Sequence, residues 1–201
     1  MNIEEFYSLV ALGEQTRNVE LKRSISWDDP VVKAKVVKTI LGMSNIRNGG
    51  FLILGVEERE DGFDLLGITD EHLSSFNYDH VASEVARYAD PYATFRMEVV
   101  EDSEVNKKFL VFTIDEFREI PVICKINGRE NLREGTIYTR SRRMPSTVQV
   151  PTQSEMREIM SIAIERGIRT YIEQSRRVGL RLELVEEGSD EEYDRELRDI
   201  T

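Results

Sequence analysis

The tightest constraint on the fold of this chain is the run Phe51-Leu52-Ile53-Leu54-Gly55-Val56, six residues without a polar side chain. Asn48-Gly49-Gly50 precedes it with residues that tolerate positive φ, and Glu57-Glu58 follows it back to water. An apolar run this short between turn signals reads as a strand buried on both faces, and so central in its sheet. A strand of that kind needs helices as cover. The segment before it supplies one. Asp28-Asp29-Pro30 offers an acid as N-cap and proline at the first helical position. Val32, Val36, Val37, Ile40 and Leu41 then share one helical face while Lys33, Lys35 and Lys38 fall away as helix surface, and the helix is expected to end near Asn45.

Periodicity places the other elements around this pair. Residues 2–12 predict a short helix, and Asn18-Val19-Glu20-Leu21-Lys22 alternates as a strand does. Glu60-Asp61-Gly62 is a hairpin signal that returns the chain through Phe63 to Ile68. A helix is expected from Asp79 to Ala89, stopped by Pro91, and strands over Thr94–Val100, Lys108–Ile114 and Gly135–Arg140. Thr152-Gln153-Ser154-Glu155 is a capping box that opens a long helix to about Arg177, striped by Met156, Ile159, Met160, Ala163, Ile168, Tyr171 and Ile172. The expected fold class is α+β, a mixed and mostly antiparallel sheet flanked by helices, with a long C-terminal helix. One domain is expected over residues 1–150 and the helix over 151–184. Residues 185–201 are too acidic and too poor in apolar side chains to pack, and are expected to be a disordered tail.

No run of 18 uncharged apolar residues exists and the N-terminus carries acids, so a soluble, cytoplasmic protein without a membrane span is expected. Cys124 is the single cysteine, which excludes an intrachain disulfide and a multi-cysteine zinc site. The net charge of −11 argues at first against a polyanionic partner. Its uneven distribution weakens that objection. Nine acids against two arginines from Glu183 onward (net −7) leave the first 182 residues at −4. Val31–Val56 holds Lys33, Lys35, Lys38 and Arg47 without an acid, and Thr136–Ser146 holds Arg140, Arg142 and Arg143 without one. Local basic surfaces coexist with an acidic total.

On a strand over 19–22, Val19 and Leu21 point inward while Glu20 and Lys22 share the other face. A carboxylate and an ammonium so placed suit a metal-dependent phosphodiesterase: the acid holds Mg²⁺ or Mn²⁺, and the lysine steadies the attacked phosphate. One carboxylate binds such an ion poorly, and Glu14 just upstream and Glu57 and Glu58 at the end of the central strand are the candidates for the other ligands. The alternative is a solvated strand face. Tyr138 beside Arg140, Arg142 and Arg143 suggests a nucleic-acid contact in which the ring stacks on an unpaired base, against the alternative of a core tyrosine flanked by solvated arginines. Asn48-Gly49-Gly50 precedes a strand, whereas a phosphate-cradling loop follows one and ends in Gly-Lys-Ser/Thr, so ATP hydrolysis is not expected.

Glu14, Glu20-Leu21-Lys22, Leu41 through Gly50, the strand Phe51 through Glu58, Ile120-Pro121-Val122 and Gly135 through Arg142 occur in an order and spacing that resembles the Schlafen AlbA-like domain family, over about residues 12–146. The resemblance implies a nucleic-acid-handling domain, and in Schlafen proteins a ribonuclease core that cleaves RNA including transfer RNA. Carried over, it implies Glu14, Glu20 and Glu57 or Glu58 as metal-binding and catalytic acids, with Lys22 beside the phosphate. Three functions follow as expectations: a metal-dependent endoribonuclease on structured RNA such as tRNA, with RNA favoured over DNA; a non-catalytic DNA- or RNA-binding module; and an interaction protein forming a homodimer through residues 153–178.

Overall fold

A computed structural model describes residues 1–12, 16–59, 62–142 and 146–179. Contacts divide the chain into two units, Met1–Ile164 and Glu165–Thr201. In the second, the described residues continue a helix to Arg177. The sheets and the core belong to the first.

Helix α1 (Ile3–Leu12) leads to β1 (Val19–Lys22), and α2 (Pro30–Ser44) then runs to the central strand β2 (Gly50–Leu54). The N-cap of α2 is Asp29, whose carboxylate accepts the Val31 N–H at 2.7 Å. Positive φ at Asn48 (66°) and Gly49 (63°) makes the turn into β2. β6 (Phe95–Asp102) and β7 (Lys107–Ile114) complete a four-stranded sheet in the order β1-β2-β7-β6; here β1 and β2 are parallel and the other pairs antiparallel. β2 is central, as its sequence demands.

The period-2 alternation of this sheet sorts two cores. Leu52, Leu54, Leu110, Phe112 and Ile114 belong to the larger one, with Ile40 and Leu41 of α2 and with Val81 and Val85 of α4 (Tyr78–Tyr88). Ile53, Phe109 and Val111 belong to a smaller one closed by Phe6 and Val10 of α1, and Val19 and Leu21 join it. Burial of Phe6 and Val10 is worth roughly 1.5–3 kcal/mol each, which is what holds a ten-residue helix too short to persist alone.

The run Phe51–Val56 is not one strand. At Gly55 φ turns to 106°, and a Cβ there would stand 2.8 Å from both the Gly67 carbonyl carbon and the Ile68 nitrogen. The chain therefore leaves the sheet and starts β3 (Val56–Arg59), which pairs with β4 (Gly62–Leu65) in a separate two-stranded ribbon. The hairpin is where the sequence puts it, with its tip, residues 60–61, outside the described residues.

A third, antiparallel sheet runs β10 (Thr147–Gln149), β9 (Thr136–Arg140), β8 (Ile123–Cys124), β5 (Ala89–Asp90). Three of its strands hold two or three residues, too few to show a period, and the sequence signals only β9. The six-residue α3 (Asp70–Ser75), capped by Thr69, is likewise unannounced. α5 (Gln153–Arg177) opens on the expected capping box, with the Glu155 N–H donating to Thr152 Oγ1 at 3.3 Å. Its expected stripe is divided: Ile159 is buried, as is the neighbouring Ile162, while Met160, Ile164, Ile168 and Tyr171 are exposed. Among the described residues no helix is long and apolar enough to cross a membrane. The residues expected to form the acidic tail, 185–201, lie outside the described ones.

Candidate nucleic-acid interface

Parallel pairing sets Glu20 beside Leu52 and Lys22 beside Leu54, so both polar side chains of β1 point to the side of the sheet covered by α2. β1 is the edge strand there, and β9 of the third sheet comes up to it. The result is an open cavity of about 320 Å³ lined by β1, by Lys35, Lys38 and Thr39 of α2, by Glu58 of β3, by Arg140 of β9, and by Glu130, Ser146 and Thr147. Lys35, Lys38, Thr39 and Gly42 recur at the i, i+3, i+4, i+7 spacing of one helical face. Gly42 lets β10 approach, since a Cβ in its place would stand 2.5 Å from Thr147 Cγ2.

Glu20 is the hub. Its Oε2 accepts from Arg140 Nη1 at 2.6 Å, its Oε1 lies 2.5 Å from Lys22 Nζ, and the Thr39 hydroxyl lies 3.3 and 3.2 Å from Oε1 and Oε2. Arg140 is 1% exposed and also donates to the carbonyls of Arg17 (3.0 Å) and Val19 (3.4 Å). Burial pulls its guanidinium below the ordinary value, and the Glu20 and Glu58 carboxylates pull the other way. Lys38 Nζ donates to the Glu130 carbonyl at 3.2 Å and sits 5.4 Å from the centre of the Tyr138 ring. Lys35 is exposed. Counting side chains, the cavity has four bases against three acids, in a chain of net charge −11.

The structure brings Glu20, Lys22, Glu58 and Arg140 together and separates others from them. Of the two alternatives on β3, Glu58 lines the cavity, while Glu57 lies 3.7 Å from Arg23. Tyr138 is not a stacking platform. It is 1% exposed, its hydroxyl donates to the Asn131 carbonyl at 2.5 Å and accepts the Arg133 N–H at 2.9 Å, and its ring belongs to the large core. Arg140 is likewise a buried partner of Glu20 rather than a surface contact, because β9 runs inside the fold. Arg142 is exposed and pairs with Glu158 at 3.3 Å. Glu14 and Arg143 lie outside the described residues. Lys35 and Lys38, read from sequence as plain helix surface, line the cavity; their shared face with Thr39 and Gly42 was the available signal.

Of the acids expected to hold a divalent ion, Glu20 and Glu58 line the cavity. Both oxygens of Glu20 are already held by cations, and among the described residues no group of three His, Cys, Asp or Glu side chains is placed to hold a metal.

A mixed α+β domain whose edge strand and covering helix frame a basic cavity is the class of protein defined here. The chain belongs to the Schlafen AlbA_2 family, whose model matches residues 15–149, and that membership gives it a role connected with nucleic acid. Two solved structures are similar to it. One is the DIP2311 protein from Corynebacterium diphtheriae, at 16% identity and a TM-score of 0.48 over 78% of this chain, which spans 27% of that one. The other is the N-terminal domain of an ATP-dependent DNA helicase RecG-related protein from Nitrosomonas europaea, at 20% identity and a TM-score of 0.44, covering 70% of this chain and 94% of that one. No curated protein matches the chain.

Proposed function

We propose that this domain binds the sugar-phosphate backbone of nucleic acid, RNA in the first instance, at the cavity framed by β1, α2 and β9. The observation that carries this reading is the placing of Lys35 and Lys38 on one helical face along a cavity with four bases against three acids, in a chain of net charge −11. Lys35 and Lys38 act as the phosphate contacts. Retention of labelled single-stranded RNA and DNA, followed against salt, tests it. The Lys35→Ala/Lys38→Ala variant is expected to bind weakly at every sequence and to lose about 1.4 from the slope of log K against log salt, the share of two phosphate contacts on a single strand. An unchanged slope removes the cavity from consideration.

One observation favours cleavage as a second reading: Glu58 lines the same cavity as Glu20 and Lys22. Labelled tRNA incubated with Mn²⁺ and with Mg²⁺ checks it. Cleavage by the wild type that Glu58→Gln abolishes supports a nuclease; equal cleavage by both, or none by the wild type, leaves binding alone.

A further inference from the structure

Three donors of different kinds converge on one carboxylate in this cavity. The guanidinium of Arg140 and the ammonium of Lys22 each take one oxygen of Glu20, at 2.6 and 2.5 Å, and the Thr39 hydroxyl lies between them at 3.2–3.3 Å. Two cations and a hydroxyl around the oxygens of a single anion are what a bound phosphate group collects. Here a side chain of the protein already stands in the middle of them.

We infer that Glu20 is a built-in counter-ion that occupies the place of one phosphate and closes the inner cations, Arg140 and Lys22, to ligands. This rests on the binding role proposed above. With the Glu20 carboxylate held between Arg140 and Lys22, the cavity offers a ligand the ammonium groups of exposed Lys35 and half-buried Lys38. A phosphodiester strand presents successive phosphates and engages the two at once.

The sign of the effect separates this from the roles a carboxylate in a nucleic-acid site is usually given. A metal ligand or a general base loses activity when neutralised, and a purely structural partner of Arg140 changes stability but not affinity. A counter-ion, once neutralised, strengthens binding.

Three proteins are compared for retention of a single-stranded oligonucleotide across a salt series, and for thermal stabilisation by inorganic phosphate: wild type, Glu20→Gln and Glu20→Gln/Arg140→Gln. Glu20→Gln is expected to bind the oligonucleotide about tenfold more tightly at low salt, with a slope steeper by about 0.7 as Lys22 becomes a further contact. It is also expected to show a larger phosphate-dependent rise in Tm than the wild type. Should Glu20→Gln fail to fold because buried Arg140 loses its counter-charge, the double variant carries the test. It removes one acid and one base, keeps the net charge of the protein, and still frees Lys22, so the steeper slope is expected there too. Equal or weaker binding by the folded variants, while Lys35→Ala/Lys38→Ala still loses affinity, overturns the inference and leaves the binding role standing. No loss in the lysine variant overturns both.

Discussion

A single amide at position 45 shows how much of this fold rests on one side chain. Asn45 is fully buried; its Nδ2 donates to the carbonyls of Leu41 (3.2 Å), Val122 (2.7 Å) and Tyr138 (2.9 Å), and its Oδ1 accepts the Val122 N–H at 2.8 Å. The last turn of α2 is thereby tied to the segment before β8 and to β9. Asn45→Ala strands the Val122 N–H and its carbonyl neighbours without water, at about 1–3 kcal/mol per group. A loss of about 3 kcal/mol is expected, read as a lower urea midpoint with an unchanged m-value; an unmoved midpoint would mean the network holds nothing. Sequence marks Asn45 as the end of a helix but not as this hub, because its partners lie 77 and 93 residues away. Tyr138 and Arg140 were illegible for a related reason. Alternation on β9 gives two faces without saying whether the outer one meets solvent or another sheet, and the answer depends on Glu20, 120 residues away.

At the scale of elements, the helix ends and the capping box were legible because their signals lie within a few residues. The two- and three-residue strands of the third sheet were not, since pairing rather than periodicity makes them strands. β10 is the instructive case: its position against α2 depends on the missing side chain at Gly42. Gly42→Ala raises helix propensity by up to about 1 kcal/mol, yet drives a methyl to 2.5 Å from Thr147 Cγ2. Over-packing of this kind costs about 1–3 kcal/mol, so net destabilisation is expected. Adding Thr147→Ala should restore the melting temperature, because it removes the clash and discards a hydroxyl that is buried without a hydrogen-bond partner. A double variant no more stable than Gly42→Ala would sink this account of the contact. The start of α5 is held differently, by Glu158, which pairs with Arg17 as well as Arg142. Burial pushes the Glu158 carboxyl up, but the two guanidinium groups outweigh it and hold the carboxyl below its ordinary value of 4.5. A folded-state pKa below the unfolded one gives stability that is present above pH 4.5 and lost as the pH falls through the folded value. Glu158→Gln should lower the urea midpoint at pH 7 and remove part of the acid-side loss, and parallel pH profiles for the two proteins would refute it.

For the molecule as a whole, the central strand, its two faces of cover and the covering helix were all contained in one apolar run and one capped helix. Only the break at Gly55 escaped, because a glycine inside an apolar run looks the same whether the chain continues or turns. The charge distribution makes a prediction that local contacts do not. The described cavity is basic while the chain carries −11, and −7 of that belongs to residues 183–201. A polyanion approaching the cavity feels the whole field when the screening length is about 30 Å, at 0.01 M salt, and little beyond its immediate neighbours at about 8 Å, near 0.15 M. Ending the chain at Leu182 should therefore raise the association rate and affinity for a single-stranded oligonucleotide several-fold at low salt and leave both unchanged near physiological salt. Stopped-flow binding at the two ionic strengths separates the outcomes. A gain that persists at 0.15 M salt would mean those residues act by direct contact with the site, and no gain at 0.01 M would mean their charge does not reach it.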